Sequence, residues 1–437
     1  MITPLSQEDI KKIHSVEFFR SLKASHYGGL SVFVAFLKKS NLKGRLEAII
    51  GERATTAFLQ VMLGVFLGAR SMEEISKLTK DPIANDYIGH SYDATSIPRI
   101  LKNLNPAEIQ ALHEFSLSLG FLDIAGDTHK GIFQTLDIDA TGVEKYGRQE
   151  GVEYGYLESE NIAKCYQYLF IRNDKLGSLL TGTIRGGAAH SQNNFVGYLK
   201  GILPAFDGQW SLRIRADSGY FNEEAFEECS RNKVYFFIKA PMSEARRALA
   251  GTKGLEWTRP DPDSEEEFSS YETVTKEGWQ WREVFKRQPK PETRDGYTYQ
   301  CIATNDLSKK DSDCFSFYNG RALIENQIRE LKEDYALGSI VTKSFAVNDV
   351  ITQATVILSQ LVKHFTRHCL DKVFKNSTLK SLRRIIFHVP AEILRTGRKQ
   401  WYRVYNPDLD VNTYGRIFAR IEALATLLIM VPYLDSS

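Results

Sequence analysis

The feature that most constrains the fold is a change of residue pattern after Gly126. Before it, segments such as GLSVFVAFLKKS and ERATTAFLQVMLGVFLGA carry apolar residues at three- and four-residue spacing, which indicates helices. After it, β-branched and aromatic residues mark three strands: GIFQTLDIDATGVEKYG, KCYQYLFIRND and KLGSLLTGTIRGG. Strand-like WSLRIRADSGYF and VYFFIKA then alternate with helix-like NNFVGYLKGILPAF and NEEAFEECSRN. The sequence therefore predicts an α/β fold built on a mixed sheet.

These patterns divide the 437 residues into five predicted regions. Residues 1–125 form a helical N-terminal domain, in which DATSIPRIL fits a helix-turn-helix module and plain helical packing equally well. Residues 126–241 and 306–360 form the two parts of the sheet core. An inserted β subdomain at 242–305, which contains the acidic segment RPDPDSEEEFSS, separates them. Residues 361–437 form a basic, helical C-terminal region.

Several broad classes are excluded by composition. No basic N-terminal segment precedes an apolar run, and the longest apolar run, ALATLLIMV, is well short of the roughly 20 residues that span a bilayer. We expect a cytoplasmic, nucleoid-associated protein without a membrane partner. No phosphate-binding loop or dinucleotide fingerprint is present, so no nucleotide cofactor is expected. Five widely spaced cysteines without a C-x-x-C pair argue against a disulfide framework or a zinc ribbon.

A basic block lies near the C-terminus, although the net charge of the chain is only +2. Between Lys363 and Arg403 the only acidic residues are Asp371 and Glu392, against eleven basic ones. Such a block is suited to meet phosphates. Taken alone, it is more readily explained as a solvated helical surface.

Aspartates follow two of the predicted strands. In LDIDATG, Asp137 and Asp139 point to the same side of the strand, because successive side chains alternate. In RADSGYF, Asp217 lies at the C-terminal end of its strand, where ligands gather in open α/β sheets. An aspartate after a strand is more often a turn or cap residue, so neither motif decides a function by itself.

A stripe of four side chains marks the predicted helix from Tyr318 to Gly338. At about 100° per residue, Arg321, Glu325 and Lys332 all fall within about 60° of Tyr318. Asp139, Asp217 and Glu325 together would supply three carboxylates, the ligands that Mg²⁺ or Mn²⁺ prefers. Arg321 and Lys332 would then hold phosphates beside the carboxylates.

The spacing of these residues resembles a known enzyme family. Tyr318, Arg321, Glu325 and Lys332 match the Tyr-Arg-Glu-Lys signature of DDE transposases of bacterial insertion sequences, the cut-and-paste group. LDIDATG, GTIRGGAAHSQNN and RADSGY resemble segments of that group in the same order. The resemblance covers most of the chain. It implies a ribonuclease H-like catalytic core, a β insertion before the glutamate, and a helical N-terminal DNA-binding domain.

The resemblance also implies site residues, a cofactor and partners. Asp139, Asp217 and Glu325 match the catalytic, metal-binding positions for two Mg²⁺ or Mn²⁺ ions, and Asp137 is the rival for the first of them. The other signature residues match DNA-binding positions: Tyr318, Arg321 and Lys332. The expected partners are the terminal inverted repeats and a target, both double-stranded DNA. Because an element has two ends, we expect a homodimer on the paired ends.

In relatives that cut through a hairpin, an aromatic residue of the insertion stacks on a flipped base. The candidates here are Trp279, Trp281, Tyr297 and Tyr299, for each of which packing within the insertion is the plainer explanation. Three alternatives to a transposase stay open. A metal-dependent DNA nuclease would lack strand joining, a catalytically inactive DNA-binding descendant would lack cleavage, and a two-carboxylate glycosidase would give Arg321 and Lys332 no role.

Overall fold

The computed structural model describes residues 24–125, 133–157, 161–189, 195–206, 211–251, 255–293, 295–396, 399–410 and 412–424. The ends of the predicted N-terminal and C-terminal regions, residues 1–23 and 425–437, lie outside the described residues. The described part is a mixed α/β structure, as the sequence predicts.

Helices form most of the N-terminal third and the surroundings of the sheet. The α-helices are α1 (Leu30–Lys39), α2 (Leu42–Phe66), α3 (Met72–Leu78), α4 (Pro82–Ile88), α5 (Ser96–Leu101), α6 (Pro106–Ala125), α7 (Phe195–Ile202), α8 (Glu223–Arg231), α9 (Glu244–Gly251), α10 (Asp311–Asn319), α11 (Ala322–Asp334), α12 (Phe345–Cys369), α13 (Leu379–Leu382) and α14 (Thr413–Ala423). Several start at side-chain caps. Ser71, for example, accepts a hydrogen bond from the amide of Glu74 at the start of α3.

Strands form a large sheet and a small one. The strands are β1 (Ala24–Ser25), β2 (Gln134–Glu144), β3 (Glu153–Tyr156), β4 (Ile162–Asn173), β5 (Ser178–Gly186), β6 (Leu212–Ala216), β7 (Tyr235–Ala240), β8 (Glu267–Val274), β9 (Gln280–Pro289), β10 (Tyr297–Thr304), β11 (Ala391–Thr396) and β12 (Lys399–Val404). The large sheet has the order β3-β4-β2-β6-β7-β10-β9-β8, with β5 also paired to β4. The small sheet has the order β1-β11-β12.

Strand direction within the large sheet changes along its width. β4 runs antiparallel to both β2 and β5, whereas β6 runs parallel to both β2 and β7. The region predicted as an insertion contributes β8, β9 and β10, and β10 pairs antiparallel with β7. These three strands therefore continue the large sheet.

Apolar layers cover both faces of the large sheet. On one face Tyr166, Tyr168 and Phe170 of β4 pack with α11, α12 and the N-terminal helices. On the other face Leu169 and Ile171 pack with α6, α7 and α8. The alternation along β4 decides which side chain joins which layer. Polar side chains at the strand ends are thus presented between two rigid layers.

The C-terminal region differs from the helical prediction in one element. Residues 391–404 form the hairpin β11–β12, in which Ile393 lies opposite Tyr402 and Leu394 opposite Trp401. Alternating apolar and polar residues in AEILRT and KQWYRV fit a strand period of two better than a helical period. The rest of the region includes the end of α12, α13 and α14.

Two helices, α2 and α12, are long and apolar enough to cross a membrane by length and composition alone. Most of each helix is buried inside the structure, α2 among the N-terminal helices and α12 against β5, α6 and α2. Core helices of a globular protein have the same composition, so their burial accounts for the apolar character.

Candidate active site

The parallel pairing of three neighbouring strands ends in one row. Ile138 of β2 lies opposite Ala216 of β6, and Ala216 lies opposite Ile238 of β7. The residues that follow these three are Asp139, Asp217 and Lys239. Because neighbouring strands lie about 4.8 Å apart, the three positions span about 10 Å. The sheet register therefore brings two predicted carboxylates and an unpredicted lysine to one edge of the parallel ladder.

Asp137 and Asp139, which compete for the first catalytic position, have different surroundings. The Asp137 carboxylate is fully buried, and it accepts hydrogen bonds from Nε of Arg215 at 2.6 Å and Nη1 of Arg172 at 3.0 Å. Those arginines neutralise it and leave no side open. Asp139 instead accepts hydrogen bonds from Nη1 of Arg321 at 3.0 Å and from the amide of Ala140 at 2.9 Å, next to the cleft described below.

Asp217 directly follows β6 and begins a short turn. Its Oδ1 accepts a hydrogen bond from the amide of Gly219 at 3.0 Å, which caps the 3₁₀ turn Ser218–Tyr220. Capping fixes the side chain at the end of the strand. Asp217 can therefore be both a cap residue and a functional one, because its other carboxylate oxygen takes no part in that bond.

The segment from Tyr318 onward is not the single helix that the sequence predicts. It consists of α10 and α11, joined at Gly320 and Arg321, whose backbone dihedrals stay right-handed helical. The carbonyl of Phe317, at the end of α10, accepts a hydrogen bond from Nη1 of Arg215 at 2.8 Å. A Cβ on Gly320 would lie 2.2 Å from that nitrogen, so glycine admits the guanidinium. Arg215 thus interrupts the backbone hydrogen bonding of the continuous helix that the sequence periodicity indicates.

Arg321 joins the first and third predicted catalytic residues. Its Nη1 contacts Asp139, and its Nη2 donates to Oε1 of Glu325 at 2.8 Å. The Tyr318 ring lies beside the same guanidinium, with the Arg321 Cζ atom 6.0 Å from the ring centroid. Three of the four signature side chains are therefore neighbours despite the break between the helices.

Burial and charge change the acidity of two groups in this cluster. Burial, together with the nearby Asp217 carboxylate, raises the pKa of Asp139 to about 6, against the opposing effect of Arg321. Burial also raises the pKa of the Tyr318 hydroxyl above its ordinary value. A negative charge at Asp139 is therefore costly without a further cation beside it.

An open cleft of about 330 Å³ lies at this cluster, and Asp139 stands beside it in contact with Arg321. Its lining residues are Asp217, Ser218, Lys239, Tyr318, Asn319, Arg321, Ala322 and Glu325. Lys239 is the residue that the sequence analysis missed. Its signal was its position at the end of VYFFIKA, the predicted strand that follows the Asp217 strand along the chain, since side chains at the ends of parallel strands meet.

A larger cleft, of about 690 Å³, lies on the other face of the sheet. Leu169, Ile171 and Tyr198 contribute to its lining, and His113, also part of the lining, pairs with Asp349 at 3.0 Å. The carboxylates of the smaller cleft have no part in it.

Comparison with known proteins shows the family of the chain. The family model described as "Transposase DDE domain group 1" matches residues 24–426. The chain belongs to the DDE transposase family. Among solved structures, the transposase is similar to the piggyBac transposase in its synaptic complex with hairpin DNA, with 12% identity and a TM-score of 0.43, over 76% of this chain and 70% of that chain. No curated protein sequence matches it significantly.

Lys332 is the signature residue that does not line the cleft. It lies seven residues after Glu325 on α11, which is about 10 Å along a helix. Its carbonyl and that of Glu333 accept hydrogen bonds from the Arg70 guanidinium, at 3.2 Å and 3.1 Å. A DNA contact by Lys332 in the transposase stays a prediction.

The aromatic candidates of the β insertion differ in exposure. Trp281 is 5% exposed and packs against Phe221 and Phe226, so its ring belongs to the protein core. Trp279 is 36% exposed, and the Tyr297 ring stacks under the guanidinium of Arg287 at 4.4 Å. Packing accounts for Trp281, and Trp279 is the most exposed of the tryptophan candidates.

The donor set of the transposase fits a divalent cation in chemistry. Asp217 and Glu325 offer carboxylate oxygens to the cleft, and Asp139 lies beside it in contact with Arg321. Within the described residues no three acidic, histidine or cysteine side chains lie close enough to enclose an ion. The Arg321 guanidinium lies between two of the carboxylates and supplies the neutralising charge there.

Proposed function

We propose that this DNA transposase cleaves the ends of an insertion sequence and transfers them to a target by a divalent-metal-dependent, cut-and-paste mechanism. One observation carries the proposal. Asp139 and Glu325 share Arg321, in the cleft that Asp217 also lines. This contact supports a site built from three acidic positions, the first and last of which lie 186 positions apart in the chain, beside the parallel ladder of β2, β6 and β7. A ribonuclease H-like core agrees with the strand directions of β2, β4, β5, β6 and β7.

The three carboxylates would hold two Mg²⁺ or Mn²⁺ ions. Bound there, the ions would activate a water or a 3′-hydroxyl and stabilise the leaving oxygen of the phosphodiester. The hydrogen bond from the Gly219 amide to Oδ1 fixes the orientation of the Asp217 carboxylate and leaves its other oxygen for an ion. Asp139 would gain from the ions, since its burial makes its negative charge unfavourable without them.

Cationic side chains of the cleft would position the DNA. Arg321 presents a planar guanidinium, which suits bidentate contact with a phosphate. Lys239 stands on the neighbouring strand, next to Asp217, and offers a point charge for a second phosphate. Tyr318 lies beside Arg321 and limits the directions that the guanidinium can take. In this proposal the enzyme works in the cytoplasm as a homodimer on two paired ends.

Cleavage of linear DNA that carries both terminal repeats tests the proposal. We expect nicked and joined products with Mg²⁺ and none with EDTA, and a loss of at least a hundred-fold in Glu325→Gln, about the effect of removing one charge-stabilising group. Glu333→Gln is the matched control, because Glu333 is exposed on the same helix and faces away from the cleft. Metal-independent cutting would refute the mechanism. Cutting without joining, when 3′-hydroxyl ends and target DNA are supplied, would identify a nuclease.

A further inference from the structure

The outward face of strand β12 carries a row of large exposed side chains. Trp401 is 57% exposed and Tyr405, just after the strand, is 51% exposed. Arg403 lies between them, and its side chain is 60% exposed. The intervening Tyr402 and Val404 are only partly exposed, in keeping with the alternation of a strand. One surface thus carries an aromatic ring, a guanidinium and a second aromatic ring, at every second position of the chain.

The position of β12 leaves this row accessible. In the small sheet β12 pairs with β11 alone, so it is an edge strand of the described structure. Exposed edges are usually blunted by charge or covered, and neighbouring exposed apolar side chains that form one patch often mark an interaction surface. The catalytic cleft uses none of the three residues.

Charge identifies the class of partner. From Ile393 to Pro407 the sequence contains four basic residues and no acidic one. Among the described residues, the carboxylate paired with the row is that of Glu392, whose Oε2 lies 3.1 Å from Nη1 of Arg403. Both side chains of that pair are about half exposed, so the ion pair contributes little to stability. The Arg403 guanidinium can therefore leave Glu392 and bind a phosphate instead. Protein interfaces are commonly less basic than this segment.

We propose that Trp401, Arg403 and Tyr405 form a DNA-binding surface outside the catalytic cleft. Arg403 contacts a backbone phosphate, Tyr405 donates its hydroxyl to a neighbouring phosphate, and the Trp401 ring packs on the sugar or on an unstacked base. The contact is independent of sequence. The inference rests on the proposed function, since it assigns part of the DNA-binding surface of the same transposase.

Binding of the full chain to a fluorescein-labelled duplex of random sequence, measured in EDTA at several salt concentrations, tests the surface. We expect Arg403→Gln to lower the slope of log affinity against log salt by about 0.9, the effect of one lost phosphate contact. Glu392→Gln should instead strengthen binding by about two-fold, because it releases Arg403 from its carboxylate. Trp401→Ala should weaken binding by about five-fold or more, with an unchanged melting temperature.

A second arginine and glutamate pair provides the control. Arg231, the last residue of α8, and Glu277 are also about half exposed, and their Nη2 and Oε2 atoms also lie 3.1 Å apart. Arg231→Gln and Glu277→Gln should leave the salt slope unchanged. Equal slopes for Arg403→Gln and Arg231→Gln would overturn the inference. So would a Trp401→Ala variant that loses a dimer and keeps wild-type DNA affinity, since the row would then bind a second copy.

The assay separates this inference from the proposed function. Because EDTA removes divalent ions, binding is measured without cleavage. If the protein fails to cut DNA, Arg403→Gln can still change the salt slope. If the protein cuts DNA, Arg403→Gln can still leave the salt slope unchanged.

Discussion

Two aspartates of one strand illustrate how surroundings assign roles at the scale of the residue. Asp137 and Asp139 lie two positions apart and point to the same side of β2. Asp137 is enclosed by two arginines, whereas Asp139 shares a single arginine with Glu325. The sequence alone weighs the two only through resemblance, because neither Arg172 nor Arg215 is near them in the chain.

The raised pKa of Asp139 predicts a stability change for Asp139→Asn. In the folded chain the pKa is about 6, above the ordinary 3.8, so the folded state holds the proton more tightly than the unfolded state. The contribution of Asp139 to stability is thus most favourable below about pH 4 and declines as the pH rises to about 6. Without metal at pH 8, Asp139→Asn should raise the free energy of unfolding by about 1–2 kcal/mol.

Urea unfolding in EDTA at pH 8 and pH 5 measures this effect, and the gain should shrink at the lower pH. Asp137→Asn is the control two residues away. It leaves the two buried arginines with only Asp174 as a carboxylate partner, so it should destabilise the chain by about 3 kcal/mol at both pH values. If both substitutions destabilise equally at pH 8, Asp139 belongs to the structural network and not to the cleft.

Lys239 should matter for DNA cleavage and not for folding. Its side chain is exposed and lines the cleft, so Lys239→Ala should lower kcat/KM by about 10- to 100-fold, the usual effect of losing a charge-assisted hydrogen bond. Lys239→Arg should retain most of the activity. Lys200→Ala, an exposed lysine of α7 on the opposite face of the sheet, serves as control. Equal activity of Lys239→Ala and Lys200→Ala would show that Lys239 has no role in DNA cleavage.

At the scale of the element, the junction between α10 and α11 shows where sequence periodicity fails. The stripe of Tyr318, Arg321 and Glu325 was predictable, because the junction keeps right-handed helical dihedrals. The break itself was not, since it depends on a guanidinium from β6 that hydrogen-bonds the Phe317 carbonyl. A contact between residues 102 positions apart leaves no local pattern in the sequence. The same holds for the row of Asp139, Asp217 and Lys239, which only the sheet register assembles.

Gly320→Ala should test that junction. The new Cβ would lie 2.2 Å from Nη1 of Arg215, and the guanidinium cannot retreat without leaving Asp137 and the Phe317 carbonyl. We expect a loss of about 1–3 kcal/mol in the free energy of unfolding, together with reduced cleavage as Arg321 shifts.

The control for this substitution is Gly201→Ala in α7, where a Cβ would meet nothing within 4 Å. Alanine favours a helix over glycine by up to about 1 kcal/mol, so Gly201→Ala should be neutral or stabilising. Thermal unfolding followed by circular dichroism compares the pair. A Gly320→Ala variant as stable as Gly201→Ala would show that the close contact with Arg215 does not constrain the junction.

At the scale of the whole molecule, the apolar core does not stop at the boundaries that composition predicts. One buried cluster includes Leu30 of α1, Tyr168 of β4, Ile357 of α12 and Ile421 of α14. Sequence patterns located most helices and strands because those depend on local periodicity. They could not show that the N-terminal helices, the sheet and the C-terminal helices bury one another, since that packing joins residues far apart in the chain.

Arg383 connects three of these parts and gives the last prediction. Its guanidinium donates to the carbonyls of Val65 and Phe66 at the end of α2, and of Asp334 at the end of α11, at 2.6, 2.6 and 2.7 Å. Arg383→Met leaves those carbonyls without the donor and removes a cation from two helix C-termini, which should cost about 3 kcal/mol or more. The adjacent Arg384 is exposed, so Arg384→Met should stay within about 0.5 kcal/mol of wild type. Calorimetry should show one cooperative transition for all three proteins, because the parts share a core. Two separated transitions, or equal stability of the two variants, would show that the N-terminal helices fold independently of the catalytic helix.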